Sequence, residues 1–398
     1  MVALVREAAA ARMPVTVAGA WTGLTGGAVP QSGWVLSLAK LNSVVVHPGY
    51  AICGPGLLLC ELQRAAAATG QFYPPDPTEN SASLGGTIAT NGSGSRSFLY
   101  GPTRGFVRAL RVVLMSGDVL QLRRTRPPLR SPVKNTAGYL MWPDMDDIDL
   151  FIGSEGTLGV VVEAEVCLLP LPQSLCSGVV FFGSDAEALD AVDAWRGVPG
   201  LRMLEYMDAA SLALLPDVPH QAQAALLVER DGDDWLPDRG LDDSWFAAGA
   251  ADRERFRRFR HALPEKINDL MRGRGLTKLG SDFAVPVARN REMLAFYREA
   301  LDGEFPDQYV IFGHIGDAHL HVNILPATAA EHARARGLMT DFAHQAVAFG
   351  GSVSAEHGLG KSKKHYLPLQ YSEAEIEAMK AVKRRFDPDL LLGQGTLF

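Results

Sequence analysis

Four glycines, Gly19, Gly23, Gly26 and Gly27, fall within nine residues, directly behind the β-branched run Val15-Thr16-Val17-Ala18. A strand that ends in residues without a Cβ can curl sharply and aim successive backbone N–H groups at one point. That is the geometry by which a backbone nest holds an anion such as a pyrophosphate without a positive side chain. The spacing is not the Gly-x-Gly-x-x-Gly that leads into a helix, so a dinucleotide-binding Rossmann unit is not indicated. On its own a glycine-rich loop is more often only a loop.

Further stretches of the same character follow. They are Pro74-Pro75-Asp76-Pro77-Thr78, Ser83-Leu84-Gly85-Gly86 running on to Asn91-Gly92-Ser93-Gly94, Tyr100 to Gly105, and Asp149 to Gly159. Such a density of small residues and hydroxyls suits a long cofactor lying flat against backbone. Between them the pattern predicts a helix over 1–12, strands at Pro14–Ala18, Val35–Leu38, Val44–His47 and Leu110–Met115, and a helix from Leu58 to Thr69 closed by Gly70. Leu168-Leu169-Pro170-Leu171-Pro172 marks a boundary. Beyond it the pattern becomes α+β, with strands near Gly178–Phe182 and 281–286 and helices at 185–196, 252–272, 289–301, 330–348 and 373–386. The segment 230–244 reads as an exposed loop. The division expected is 1–172 and 173–398, in keeping with about 100–200 residues per domain.

Composition removes several classes of function. The formal charge of −7 and pI near 5.8 argue against a nucleic-acid partner. The one basic cluster, Arg253 to Arg260, reads as a solvated helix face. Four cysteines without a Cys-x-x-Cys pair argue against a zinc knuckle or an iron–sulfur cluster. No apolar run is long enough to span a bilayer, and the charged N-terminus is not a secretory signal. The expectation is a cytoplasmic chain, compatible with peripheral attachment to the inner membrane and with a homodimer.

A second chemical signal lies in Gly313-His314-Ile315-Gly316-Asp317-Ala318-His319-Leu320-His321-Val322-Asn323-Ile324. Period two puts His319, His321 and Asn323 on one face of a strand, and a turn at Gly316-Asp317 would bring His314 back to it. Ser354-Ala355-Glu356-His357-Gly358-Leu359-Gly360 follows later in the chain. Neutral imidazoles with a carboxylate form a common site for a Lewis-acidic divalent metal. Satisfied polar groups in a loop are an equal reading on spacing alone.

Taken together, the glycine-rich stretches and Lys134-Asn135-Thr136-Ala137-Gly138-Tyr139 resemble the FAD-binding domain of the vanillyl-alcohol oxidase, or PCMH-type, superfamily. The branch they resemble contains D-lactate dehydrogenase, D-2-hydroxyglutarate dehydrogenase and the glycolate oxidase FAD subunit. The resemblance covers essentially the whole chain. It implies a PCMH-type FAD-binding domain, shortened at its N-terminus because relatives carry a further βαβ segment before the strand at Pro14. An α+β FAD-linked oxidase C-terminal domain with an antiparallel sheet would follow. By that likeness Ala18, Gly19, Ala20, Trp21, Thr22, Gly23, Leu24 and Thr25 hold the pyrophosphate. Pro74, Asp76, Pro77, Thr78, Gly85, Gly86, Asn91 and Arg104 flank the isoalloxazine and ribityl chain. Glu155, Gly159 and Val160 lie on the adenine side. No histidine stands in loop 18–27 or near residue 100, where relatives tether flavin, so FAD is expected to bind without a covalent bond.

The same resemblance makes His314, His321 and Glu356 ligands of a divalent metal, zinc or manganese, and His357 the general base. It makes Arg260 and Lys278 substrate-binding cations, with Asn323 in the same substrate set. His319 stands where relatives usually have Asn, and Ala318 where they have Gly; whether His319 is an extra ligand or an outer donor stays open. The function implied is oxidation of a small D-2-hydroxy acid to the 2-oxo acid, with hydride passing to FAD and onward to a separate electron acceptor. His357 is expected to titrate near or above the ordinary histidine value because Glu356 is adjacent, unless the metal's charge offsets it. The rival readings are a non-catalytic FAD-binding subunit of an oxidase complex, a superfamily flavoenzyme acting on another alcohol or building ether lipids, and a metal hydrolase without flavin. The filled His/Glu positions argue against the first two, and a flavin spectrum would exclude the third.

Overall fold

The computed structural model describes every residue except Leu129 and Asp234. The first half opens with the helix Val2–Ala10 and two parallel strands, Val15–Ala18 and Trp34–Ser37. A five-stranded antiparallel sheet follows, in the order Val44–His47, Tyr50–Cys53, Val160–Cys167, Val107–Val113, Val119–Arg123. The predicted helix that Gly70 closes runs Leu59–Ala67, and Gly70 takes a positive φ. A short helix, Leu84–Thr90, starts at Ser83, whose hydroxyl accepts from Gly86 N. It ends at Asn91 in the left-handed region, a conformation asparagine tolerates better than most residues.

The second half is built on seven strands, ordered Trp245–Phe246, Leu175–Phe182, Ala224–Asp231, Leu201–Asp208, Tyr309–His314, His319–Ile324, Leu279–Gly280. Every pairing in it is antiparallel. Both faces are covered, which is why Val179–Phe182 and Ala224–Val228 read as unbroken apolar runs. Val179, Phe181, Met207, Leu227 and Val310 pack against Phe256, Phe259, Leu263, Ile267 and Met271 of the long helix Ala250–Gly273. Val180, Phe182, Tyr206, Leu226 and Ile311 face the helices Asp185–Trp195, Asn290–Glu304 and Ala329–Ala348.

Alternation then decides where polar residues go. Glu205 lies in the same row as Met203 and Met207, so it faces the long helix. His314 shares the row of Val310 and Phe312. The site is therefore a polar interruption of the apolar face beneath that helix. Pro264 sits inside the helix and has no N–H to give the carbonyl of Arg260 four residues earlier.

The stretch 281–286 is not a strand. Its regular contacts are bridges from Ala284 to His319 and to Ser352. Asp282 instead bonds to the later chain: its carbonyl accepts from Ala355 N and its carboxylate from His357 N. In the segment 230–244, Trp235 packs edge-on against Trp195, so this stretch is only partly exposed. Within the basic cluster Arg255 lies over Trp245, Arg257 pairs with Glu254 while staying half exposed, and Arg260 points inward. The four cysteines are free, and no described helix is long and apolar enough to cross a membrane.

Candidate active site

The hairpin Tyr309–His314/His319–Ile324 turns through a short 3-10 segment at Ile315–Asp317 and Ala318, which has φ +51°. Glycine would adopt that conformation without strain, and alanine does so at some expense. The turn sets His314 directly opposite His319 and Phe312 opposite His321. Directly opposed residues of an antiparallel pair project to the same face. Three imidazoles thus gather on one side, with ring centroids 5.2 Å apart for His314 and His319, 4.5 Å for His319 and His321, and 5.3 Å for His314 and His321. Glu356 completes the group: its Oε1 is 3.3 Å from Nε2 of both His314 and His321. One potential ligand atom from each of His314, His319, His321 and Glu356 lies within 4.8 Å of the others.

A divalent cation fits this donor set. For bonds of about 2.0–2.1 Å, tetrahedrally arranged ligands stand about 3.3–3.4 Å apart. Glu356 stands at that separation from both histidines. Burial would push its carboxyl up, but the charge on His314 and hydrogen bonds from His314 and His321 hold it well below the usual carboxylate range.

His357 sits beside this cluster, its ring stacked on His321 with centroids 5.6 Å apart. Adjacent residues in an extended chain point apart, so a bend is required for Glu356 and His357 to face one space. Gly358 and Gly360 provide it, with φ +71° and +52°. Nδ1 of His357 is 3.3 Å from Asp282 Oδ1, and Nε2 is 3.5 Å from Glu356 Oε1. Burial lowers the His357 pKa more than Asp282 and Glu356 raise it. This is opposite to the direction expected from the sequence, where the neighbouring carboxylate was visible and the burial was not.

Several residues of the site carry no sequence motif. Buried Glu205 receives Nδ1 of His314 at 2.5 Å through Oε1, and Nε and Nη2 of Arg260 at 2.9 and 2.7 Å through Oε2. Arg260 and His314 outweigh burial and hold its carboxyl well below the usual range. Glu205 in turn raises His314 to about 9 against the lowering effect of burial. Ser93, from the glycine-rich first half, donates to Glu356 Oε2 at 2.9 Å, so the site straddles both halves. Lys134 stands 2.8 Å from Asp317 and 4.0 Å from Glu356. A cavity of about 600 Å³ borders this pair, between Tyr100, Asn135, Arg196 and Tyr371. The signal for Glu205 was its charge in an otherwise apolar strand row; Asp282 had none.

Other expected site residues have varied placements. Arg260 spends Nε and Nη2 on Glu205 and Nη1 on Thr78 Oγ1, so its fork is already engaged. Lys278 makes no hydrogen bond or ion pair among the described residues; burial and nearby Lys363 lower it to about 8. Asn323 lies one strand step beyond His321, buried, with its Nδ2 unpartnered. In loop 18–25, Trp21 and Leu24 are exposed, whereas Ala18 and Thr25 are buried. The Thr25 carbonyl accepts from Lys361 N and Ser362 N, which ties the loop to the chain just after the Glu-His-Gly turn. Gly19 passes so close to Ser83 that a Cβ there would collide with its hydroxyl, and Gly85 donates to the Pro55 carbonyl. The 74–78 segment lies against Gly94, with Asp76 bound to Arg96 at 2.7 Å.

Glu155 and Arg104, expected to line the cofactor, also bond within the protein. The Glu155 carboxylate accepts from Leu359 N and Gly360 N, so it braces the Glu-His-Gly turn; burial raises it to about 7. Arg104 donates to Asp149 and to the Ile152 carbonyl, and Asn91 Oδ1 accepts from Arg104 N. Gly159 abuts Val112, and the Val160 side chain is in the core.

Comparison with known proteins gives two family matches: "FAD binding domain" over residues 1–123 and "FAD linked oxidases, C-terminal domain" over residues 171–397. The D-2-hydroxyglutarate dehydrogenase of Stutzerimonas stutzeri is 32% identical, covering 100% of this chain and 88% of its own. The glycolate oxidase subunit GlcD of Bacillus subtilis is 30% identical, covering 97% and 84%. The D-lactate dehydrogenase of Anaerostipes hadrus is also 30% identical, again covering 97% and 84%. Among solved structures, an alkyldihydroxyacetonephosphate synthase matches with a TM-score of 0.70 at 19% identity, over 98% of this chain and 74% of that one. That likeness concerns the fold alone.

Proposed function

This chain belongs to the FAD-linked oxidases, and from that premise we propose that it oxidises a small D-2-hydroxy acid, of the lactate, 2-hydroxyglutarate or glycolate type, with the help of one divalent ion. The observation that carries the reading is the convergence of His314, His321 and Glu356 beside His357, where both halves of the chain meet.

When bound, FAD supplies the hydride acceptor, and the ion supplies positive charge for the substrate's hydroxyl and carboxylate oxygens. The protein's part is orientation and proton handling. Loop 18–25 and the backbone around Gly85 and Gly86 receive the cofactor, and its binding is non-covalent. His314, His321 and Glu356 hold the ion. Asp282 lies against Nδ1 of His357 and fixes the ring so that Nε2 faces the cluster. His357, kept neutral by burial, takes the hydroxyl proton at that nitrogen. Lys278, beside Lys363, offers positive charge to the substrate carboxylate. Arg260 reaches the substrate only with the hydrogens that Glu205 and Thr78 leave free. Bound FAD would accept the C2 hydrogen as hydride, and the product would be the 2-oxo acid.

Removal of the ion by a chelator should abolish turnover of D-lactate, D-2-hydroxyglutarate or glycolate while FAD stays bound. His321→Ala should lose both metal content and turnover. A His321→Ala enzyme with full metal and full activity would show the assignment to be wrong.

A further inference from the structure

We infer that His319 is a fourth protein ligand, so that this chain binds its ion through three imidazoles and one carboxylate, in a shell that expands beyond four to admit substrate, and favours zinc. The inference rests on the metal-assisted reading above and adds to it.

The argument starts from burial. His319 is 0% exposed, so bulk water does not reach its ring, and a described backbone segment, Ala284, bridges against it. Neither ring nitrogen makes an aligned hydrogen bond among the described residues. Nε2 is 3.2 Å from Asp282 Oδ1, close enough for attraction although not aligned for a bond. A neutral imidazole can satisfy Asp282 with one nitrogen as donor. The other nitrogen is then a bare lone pair, and leaving a buried polar group unsatisfied costs about 1–3 kcal/mol. The neighbours that remain are His314, His321 and Glu356, whose ligand atoms lie within 4.8 Å of one from His319. None of these relieves a lone pair as well as a shared cation does. A cation turns the unfavourable gathering of three rings into a coordination shell, with Asp282 as the outer carboxylate that orients the ring.

Hairpin register makes this arrangement specific. His319 is the residue directly opposite His314, and His321 is its same-face neighbour two positions on, so both metal-facing partners are fixed by backbone pairing. Three nitrogen donors with a single carboxylate suit zinc, whereas manganese prefers oxygen-rich sites.

The test is zinc X-ray absorption spectroscopy on the zinc-loaded holoenzyme, which counts imidazoles directly, on wild type and His319→Asn. Asparagine retains a donor for Asp282. In parallel, zinc retention is measured by mass spectrometry after dialysis against graded chelator. Wild type should show three imidazoles and the variant two. The variant should also lose zinc at chelator strengths at least about tenfold lower, since even outer partners are worth about 10–100-fold in affinity. Two imidazoles in the wild type overturn the inference whether or not the variant folds, and leave the metal-assisted reading standing. A wild type that takes up no divalent ion overturns both.

Discussion

Exchanging Glu205 for glutamine tests how the metal ligands are tuned. In the wild type His314 is raised to about 9 by Glu205, against burial. Metal binding requires the neutral ring, so the ion must displace a proton at any pH below that value. At pH 7 the gap is about two pKa units, which is about 2.7 kcal/mol or a hundredfold in apparent affinity. The sign follows: affinity rises about tenfold per pH unit from 7 to 9 and then levels, and about one proton is released per ion bound at pH 7. In Glu205→Gln the main influence raising His314 is gone, so its pKa falls and the slope between pH 7 and 9 flattens. Loss of the oriented carboxylate should weaken binding about 10–100-fold above pH 9, where the wild-type ring is largely neutral. The two effects oppose at lower pH, and the gap between variant and wild type narrows toward pH 7. The assay is calorimetric metal titration in buffers of different ionisation enthalpy, with the flavin spectrum and thermal midpoint as folding controls. A wild-type affinity flat from pH 7 to 9, with no proton release, would refute the Glu205–His314 argument.

Four further outcomes are expected. His357→Ala should lose kcat by about 10²–10⁴-fold while keeping metal, FAD and near-normal substrate binding. In the wild type kcat/KM should fall in acid with an apparent pKa below the ordinary histidine value, because burial lowers His357; loss of metal in the variant would make His357 a ligand instead. Acid precipitation should release all flavin to the supernatant, and flavin left in the pellet would contradict non-covalent binding. Gly360→Ala should destabilise the fold by at least about 1–2 kcal/mol from its left-handed conformation alone. Its new Cβ would also stand 2.2 Å from the Thr25 carbonyl, so an unchanged thermal midpoint would show that contact to be dispensable.

Much of this architecture could be read from local pattern. The helices expected at 252–272, 289–301, 330–348 and 373–386 are Ala250–Gly273, Asn290–Glu304, Ala329–Ala348 and Glu373–Phe386. Each has a clear apolar stripe or cap, and those signals are local. The histidine hairpin was legible for the same reason: period two and one turn bring His314, His319 and His321 together within eight residues of chain. What was not legible depends on chain brought in from far away. Glu205 lies 109 residues before His314, and Ser93 lies 263 residues before Glu356. Burial is equally invisible in the sequence, so its lowering of His357 and the engagement of Arg260 by Glu205 and Thr78 emerge only from the fold. The resemblance places Glu155 on the adenine side, and no local pattern shows that its carboxylate also reaches across to the catalytic turn.

The central claim is tested most directly by mixing the purified enzyme, holding FAD and its ion, with a D-2-hydroxy acid under anaerobic conditions. The visible absorption of the oxidised flavin should bleach in step with formation of the 2-oxo acid. The L-enantiomer should leave the flavin oxidised, and so should the D-acid after chelation. A fully loaded enzyme whose flavin stays oxidised with D-lactate, D-2-hydroxyglutarate and glycolate alike would contradict the account.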